Sequence, residues 1–225
     1  MHRRLLGLGF VLAFALGPAQ LDAQGITIGL KAGVNIADLA IDESGTSVST
    51  DTRTVVALGP FVEFELGGIF SVQPELLYSQ KGASFSEPGI DLTFKLNYIE
   101  VPVLLKARLS PPGSPVRPSV YAGPVVGLES KCEVEGSAEG VSANIDCAEF
   151  AELSEGEVDI QTKSVDFGLA LGFGVDIPAG PVVVVGDVRY TLGLTDVNDV
   201  TGASALDIKN RAWSVFAGVG IPLGL

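Results

Sequence analysis

From residue 25 onward the chain alternates apolar and polar positions with a period of two, the mark of strands with two unlike faces. Eight stretches carry it, over about 25–38, 54–66, 69–83, 92–109, 118–129, 164–177, 182–195 and 211–223. The sixth is the cleanest: Val165, Phe167, Leu169, Leu171, Phe173, Val175 and Ile177 alternate with Ser164, Asp166, Gly168, Ala170, Gly172, Gly174 and Asp176. The fourth changes phase. Ile99, Val101, Val103, Leu105 and Ala107 share one parity, whereas Leu92, Phe94 and Leu96 fall on the other; a bulge, or an extension beyond a bilayer, accounts for the slip. The stretches exceed the roughly 9–11 residues a tilted strand needs to cross a membrane.

The connections alternate in length. Long polar ones cover about 39–53, 84–91, 130–163 and 196–210; short ones are Gly67-Gly68, the Pro111–Pro118 turn and Pro178–Pro181. An up-and-down barrel with short turns at one rim and long loops at the other has this rhythm, and an even strand number puts both termini on the short-turn side. The expected fold is therefore an all-β, eight-stranded antiparallel transmembrane barrel. No helical period and no second domain is found.

Composition sharpens this picture. Of 225 residues, 47% are hydrophobic and 18% charged, too apolar for disorder. The mean hydropathy is positive although no apolar run after the N-terminus is long enough for a transmembrane helix, and strands with one lipid-facing side reconcile the two. A formal net charge of −13 argues against nucleic acid and against an anionic membrane surface as partners. At the N-terminus, His2, Arg3 and Arg4 precede the short apolar run Leu5–Leu16 and a small-residue exit, which reads as a secretory signal. The expected division is a cleaved signal over 1–23 and a barrel over 24–225. Export to an oxidising compartment favours a disulfide between Cys132 and Cys147, the only two cysteines.

Several strings resemble the porin-family outer-membrane β-barrel proteins, small barrels common in Bacteroidetes-type bacteria. They are Gly29-Leu30-Lys31-Ala32-Gly33-Val34-Asn35, Gln73-Pro74-Glu75-Leu76-Leu77-Tyr78-Ser79-Gln80-Lys81-Gly82, and Leu96-Asn97-Tyr98-Ile99-Glu100-Val101-Pro102-Val103-Leu104-Leu105-Lys106. Tyr121-Ala122-Gly123-Pro124 and the stretch from Asp187-Val188-Arg189-Tyr190 to Gly193-Leu194-Thr195-Asp196 also fit. The resemblance implies a barrel in the bacterial outer membrane, with outer-membrane lipid and the barrel-assembly machinery as partners. It assigns no catalytic residue. Where many such barrels end in an aromatic residue, this chain ends Leu223-Gly224-Leu225.

The chemistry-bearing residues share the parity expected to face inward: Lys31, Glu63, Glu65, Glu75, Lys81, Glu100, Lys106, Arg108, Glu129, Asp166, Asp176, Asp187 and Arg189. They suit either a salt-bridged plug or a polar conduit. The plug is favoured, because an eight-stranded interior is only about wide enough for its own side chains. Buried carboxylates need partners, so Lys106 and Arg108 are expected opposite Glu75 or Glu100. Pro60, Pro74, Pro102 and Pro124 fall within strands and are expected at bulges near the short-turn rim. Inward Gly168, Gly172, Gly174, Gly218 and Gly220 are expected to make room for long neighbouring side chains.

The segment around the cysteines is acidic and is expected to be a solvated surface loop. His2, the one histidine, leaves with the signal, which removes Ser-His-Asp chemistry and histidine metal sites. No cofactor, metal site or catalytic set is expected. The leading expectation is a non-enzymatic outer-membrane barrel, structural or surface-interacting through long extracellular loops whose ligand is unknown, with periplasmic termini. A narrow channel for ions or small solutes, and a soluble lipocalin-like ligand-binding barrel, are the alternatives.

Overall fold

Alternation of the kind read above leaves one face of each strand seeking water or partners and the other seeking apolar surroundings, and a closed ring satisfies both. A computed structural model describes residues 25–43, 46–49, 52–87, 90–111, 113–138, 141–147, 149, 165–195 and 207–223. The expected signal segment, 1–23, lies outside them.

Eleven strands follow in chain order: β1 (Ile26–Glu43), β2 (Thr46–Ser49), β3 (Arg53–Gly67), β4 (Phe70–Pro74), β5 (Leu77–Glu87), β6 (Ile90–Arg108), β7 (Arg117–Ala138), β8 (Val141–Asp146), β9 (Val165–Ala179), β10 (Val182–Gly193) and β11 (Asp207–Leu223). β4 and β5 are two halves of one wall strand, both pairing β3 on one side and β6 on the other. β2 and β8 fold back on the far ends of β1 and β7. The remaining positions make an eight-membered antiparallel wall. It closes because β1 pairs with both β3 and β11, the latter in an unbroken register from Ile26↔Leu223 to Asp42↔Asp207. No sheet edge is left within the ring, which removes the usual route to edge-on association.

The apolar parity faces out. Leu30 is 67% exposed, Trp213 55% and Phe167 50%, and the same parity carries Leu58, Leu76, Leu105, Leu171, Val215 and Ile221. Tyr190 and Trp213 pack as a tilted pair with centroids 5.0 Å apart. A soluble barrel would hide these residues and show the charged parity to water; this arrangement is the reverse, so the lipocalin-like alternative fails.

The four prolines lie on adjacent wall strands, Pro60 in β3, Pro74 in β4, Pro102 in β6 and Pro124 in β7. The bulges expected for them are absent, because the register runs through them without a shift: Phe61↔Glu75 and Leu58↔Tyr78 continue Phe64↔Val72, and Leu105↔Ala122 continues Pro102↔Val125. What breaks is the hydrogen bonding. Leu76 donates to the Pro60 carbonyl at 3.0 Å and Glu75 to that of Pro102 at 2.9 Å, and neither proline can return the bond. Glycine absorbs two of the mismatches. A Cβ on Gly59 would lie 1.9 Å from the Leu76 carbonyl oxygen, and one on Gly123 the same distance from that of Val103. In each Gly-Pro pair the carbonyl denied an N–H by proline settles against the preceding glycine, where only Cα–H can meet it.

At the short-turn end, β3 and β4 are joined through Gly67 and Gly68, whose φ angles of 96° and 61° favour glycine. At the other end the strands outrun their expected limits. β5 and β6 continue to a Glu87↔Ile90 pair, and β7 with β8 makes a hairpin reaching Ala138↔Val141, so parts of 84–91 and 130–163 expected as loop are sheet. Of the two accounts of the fourth stretch, the extension holds for β6. Leu96, Tyr98, Glu100, Leu104 and Lys106 all face inward on one unbroken parity. The shift lies instead on its neighbour, where Tyr98 pairs Glu129 but Asn97 pairs Lys131, leaving Ser130 as the extra residue of β7. One step further out, Cys132 and Cys147 form a disulfide with Cα atoms 5.5 Å apart, at the base of the β7–β8 hairpin.

Candidate functional site

The inward parity builds the site. Nine charged residues fill the half of the lumen nearer the short turns: Lys31, Lys106, Arg108 and Arg189 against Glu63, Glu65, Glu75, Asp176 and Asp187. Glu75 is the centre. Its side chain is 0% exposed and accepts from both guanidinium ends of Arg189, each at 3.0 Å, from Lys31 at 2.7 Å and from Gln73 at 2.7 Å. The break between β4 and β5 places Glu75 there, since it belongs to neither strand and bridges only to Phe61. Asp187 accepts from Lys31 at 3.2 Å and from the Tyr121 hydroxyl at 2.6 Å. The Arg189 guanidinium also sits 5.5 Å from the Tyr121 ring centroid and 5.2 Å from that of Phe216, within cation–π range.

A second layer lies closer to the short turns. Glu63 accepts from Lys106 at 2.8 Å, Arg108 at 2.6 Å and Ser71 at 2.7 Å. Lys106 further reaches Asp176 at 3.3 Å, and Arg108 reaches Glu65 at 2.6 Å. Gln73 ties the layers together, accepting from Lys106 at 3.0 Å through its carbonyl while its amide serves Glu75. The expected pairing of Lys106 and Arg108 with Glu75 or Glu100 is therefore corrected. Both cations go to Glu63, Glu75 takes Lys31 and Arg189, and Glu100 takes Lys81 at 2.6 Å. The ladder decides this: Lys106 lies opposite Ser71 and Ser71 opposite Glu65, which sets Glu63 and Lys106 on either side of β4, while Lys81 and Glu100 sit on the paired β5 and β6.

The long-loop half is different. Besides Lys81 and Glu100, its contacts are mostly neutral. Asn35 donates to Ser79 at 2.9 Å and accepts from Ser214 at 2.7 Å; Asn210 donates to Tyr98 at 3.3 Å. Asp166 is held by Asn210 at 2.9 Å and Thr195 at 2.5 Å, and Glu129 lies half-buried on β7 opposite Tyr98. Where the two halves meet, buried Leu77, Ala57 and Phe216 form one apolar cluster, and Leu104, Val125 and Ala170 join Tyr121 in another, with Phe216 and Tyr121 also packed on Arg189. These inward apolar residues, with Gln73, Asn35, Ser214 and Asn210, were not singled out from the sequence. Parity assigned the others to the lumen, whereas Asn210 was expected in the 196–210 connection and lies in β11; only their contacts distinguish them from spacers.

Glycines pair with the large side chains. The Tyr121 ring lies where a Cβ of Gly172 would come within 2.3 Å, Phe61 covers Gly29 at 2.4 Å, and Phe216 covers Gly33 at 2.8 Å. Each aromatic is the direct cross-strand partner of its glycine. Gly218 likewise faces Lys31, and Gly174 faces Ser119. The inward glycines are thus recesses filled by the neighbouring strand. Between the two charge layers the space left beside Lys31, Lys106, Tyr121 and Asp176 amounts to about 10 Å³, room for about one water.

The sequence profile described as "Outer membrane protein beta-barrel domain" matches residues 19–199. No curated protein matches the chain significantly. Among solved structures, OprG from Pseudomonas aeruginosa is similar over 90% of this chain and 97% of its own, with 14% identity and a TM-score of 0.52. The attachment invasion locus protein Ail of Yersinia pestis shares 17% identity over 89% of this chain and 99% of its own, with a TM-score of 0.42. Outer Membrane Protein W of E. coli shares 18% over 85% of this chain and 96% of its own, with a TM-score of 0.43. At 14% identity, the likeness to OprG is one of fold alone.

Proposed function

Because the chain belongs to the outer-membrane β-barrel domain family, we propose that it is a non-enzymatic barrel whose lumen is a structural plug, leaving interaction to its long-loop end. One observation carries this reading. Glu75, with a fully hidden side chain, is held at once by Lys31 of β1, Gln73 of β4 and Arg189 of β10, so a single carboxylate ties three parts of the wall across the lumen. A conducting path would need that carboxylate to release partners it could replace only with water in a space of about 10 Å³.

The same reading gives the protein a direction. Both wall ends, Ile26 of β1 and Leu223 of β11, meet at the short-turn rim, which would face the periplasm, with the β7–β8 hairpin outside. Outer-membrane lipid then covers the apolar belt, and the barrel-assembly machinery inserts the chain. Protease added to intact cells is expected to cut the hairpin and spare the short turns. Planar-bilayer recording tests the plug: the purified barrel should give no reproducible unitary conductance, and a stable conductance step would replace this reading with the channel.

A further inference from the structure

We propose that the short-turn mouth of the barrel is a binding site for a small carboxylate monoanion. Below the Glu63 layer the lumen opens into a cavity of about 260 Å³, between the Gly67–Gly68 turn and the 108–117 connection. Arg108, Arg117, Ser110 and Glu65 line it. Three of its polar atoms, Arg108 Nε, Arg117 Nε and Ser110 Oγ, are shielded from water and have no hydrogen-bond partner. Shielded donors of this kind cost about 1–3 kcal/mol each unless something accepts from them. All three belong to side chains at the ends of the 108–117 connection, on one wall of the cavity, where a small turn of each would bring it to a single oxyanion.

Charge selects the anion. Arg108 already gives Nη1 to Glu65 and Nη2 to Glu63, leaving Nε, while Arg117 makes no ion pair among the described residues. With two guanidiniums and one lining carboxylate, the cavity carries one net positive charge, which a monoanion neutralises. A phosphate dianion would bring surplus charge toward Glu65 and Glu63. A carboxylate presents two coplanar oxygens to guanidinium donors, the geometry Arg favours. The volume is below that of an ordinary drug-sized pocket, roughly 300–1,000 Å³, and suits a short peptide terminus or a small organic acid. The Glu63–Lys106–Asp176 layer closes its inner end, so the ligand enters and leaves by one opening. Binding at this mouth is independent of the plug; its periplasmic address rests on the orientation proposed above.

The full barrel chain, ¹⁵N-labelled and refolded in a non-ionic detergent, tests the site through its arginine Nε–H signals. Sodium acetate and inorganic phosphate are titrated separately against sodium chloride at constant ionic strength. The Arg108 and Arg117 signals should shift saturably with acetate, and at lower concentration than with phosphate. Arg117→Gln, checked for folding by its heat-dependent gel mobility, should raise the acetate half-saturation at least tenfold, and Ser110→Ala several-fold. Shifts that only track ionic strength, or saturation unchanged in both variants, would overturn the site. Tighter binding of phosphate would overturn the carboxylate assignment. Protease accessibility of intact cells reads the orientation separately, so failure of the address and failure of the site are distinguishable.

Discussion

The two halves of the lumen solve one packing problem with different chemistry. Toward the short turns, nine charges share partners so densely that Glu75, Glu63 and Lys106 each meet three or more groups. Toward the long loops, the contacts are chiefly neutral hydrogen bonds among Asn35, Ser79, Gln80, Ser214, Asn210 and Tyr98, with one ion pair between Lys81 and Glu100. Desolvated charges cost several kcal/mol apiece and are tolerated only with several partners, whereas neutral bonds can be lost one at a time. The charged half should therefore fail as a unit, and the neutral half by increments.

The largest expected effect tests that contrast directly. Glu75→Ala leaves Lys31 and Arg189 only Asp187 to share and should cost about 3–5 kcal/mol, read by denaturant unfolding of the refolded barrel. A loss below about 1 kcal/mol, an ordinary surface value, would remove the distinction between the halves. Next comes Gly172→Ala, which pushes the Tyr121 ring off its recess and away from Asp187; the overpacking should cost about 1–3 kcal/mol. Combining it with Tyr121→Ala should recover part of that loss, since the ring is the obstacle. Asn35→Ala, which removes hydrogen bonds to Ser79, the Gln80 carbonyl and Ser214, should cost about 1–2 kcal/mol, with no added penalty when Ser214→Ala is combined with it. A coupling there as large as that between Glu75 and Arg189 would show that the neutral half is also cooperative. Smallest is the paired Cys132→Ser and Cys147→Ser change. The disulfide staples a hairpin outside the closed ring, so unfolding of the wall should be unaltered while proteolysis of the hairpin accelerates.

The wall was more legible in the sequence than the site. A period of two marks every outward position from Val165 to Ile177, because only one face of each strand tolerates lipid. The same parity put Lys31, Glu75 and Arg189 in the lumen. Their pairing was hidden: Glu63 and Lys106 are 43 residues apart in sequence, and only the register of β3 and β6 on either side of β4 brings them to 2.8 Å. The outer sheet was hidden for another reason. Beyond the bilayer the apolar parity is no longer held outward, so the end of β6 alternates in the opposite phase, with Leu92, Phe94 and Leu96 apolar, and β8, Val141–Asp146, alternates over six residues only, inside a long acidic segment. The proline-bearing wall misled the register argument, because Gly59 and Gly123 accommodate the missing bonds without a bulge.

The glycine recesses along β1 and β11 bear on how the cylinder is completed. Across that seam Lys31 lies opposite Gly218 and Gly33 opposite Phe216, a large residue against a small one from either side. Sliding one strand by two residues would keep every side chain on its proper face, yet one direction sets Lys31 against Phe216, a collision, and the other sets Gly33 against Gly218, a hole. The first and last segments of the chain therefore act as tumbler and key. Among the closures that hydropathy would accept, side-chain size admits the observed one, so proofreading of the final join is written into four positions.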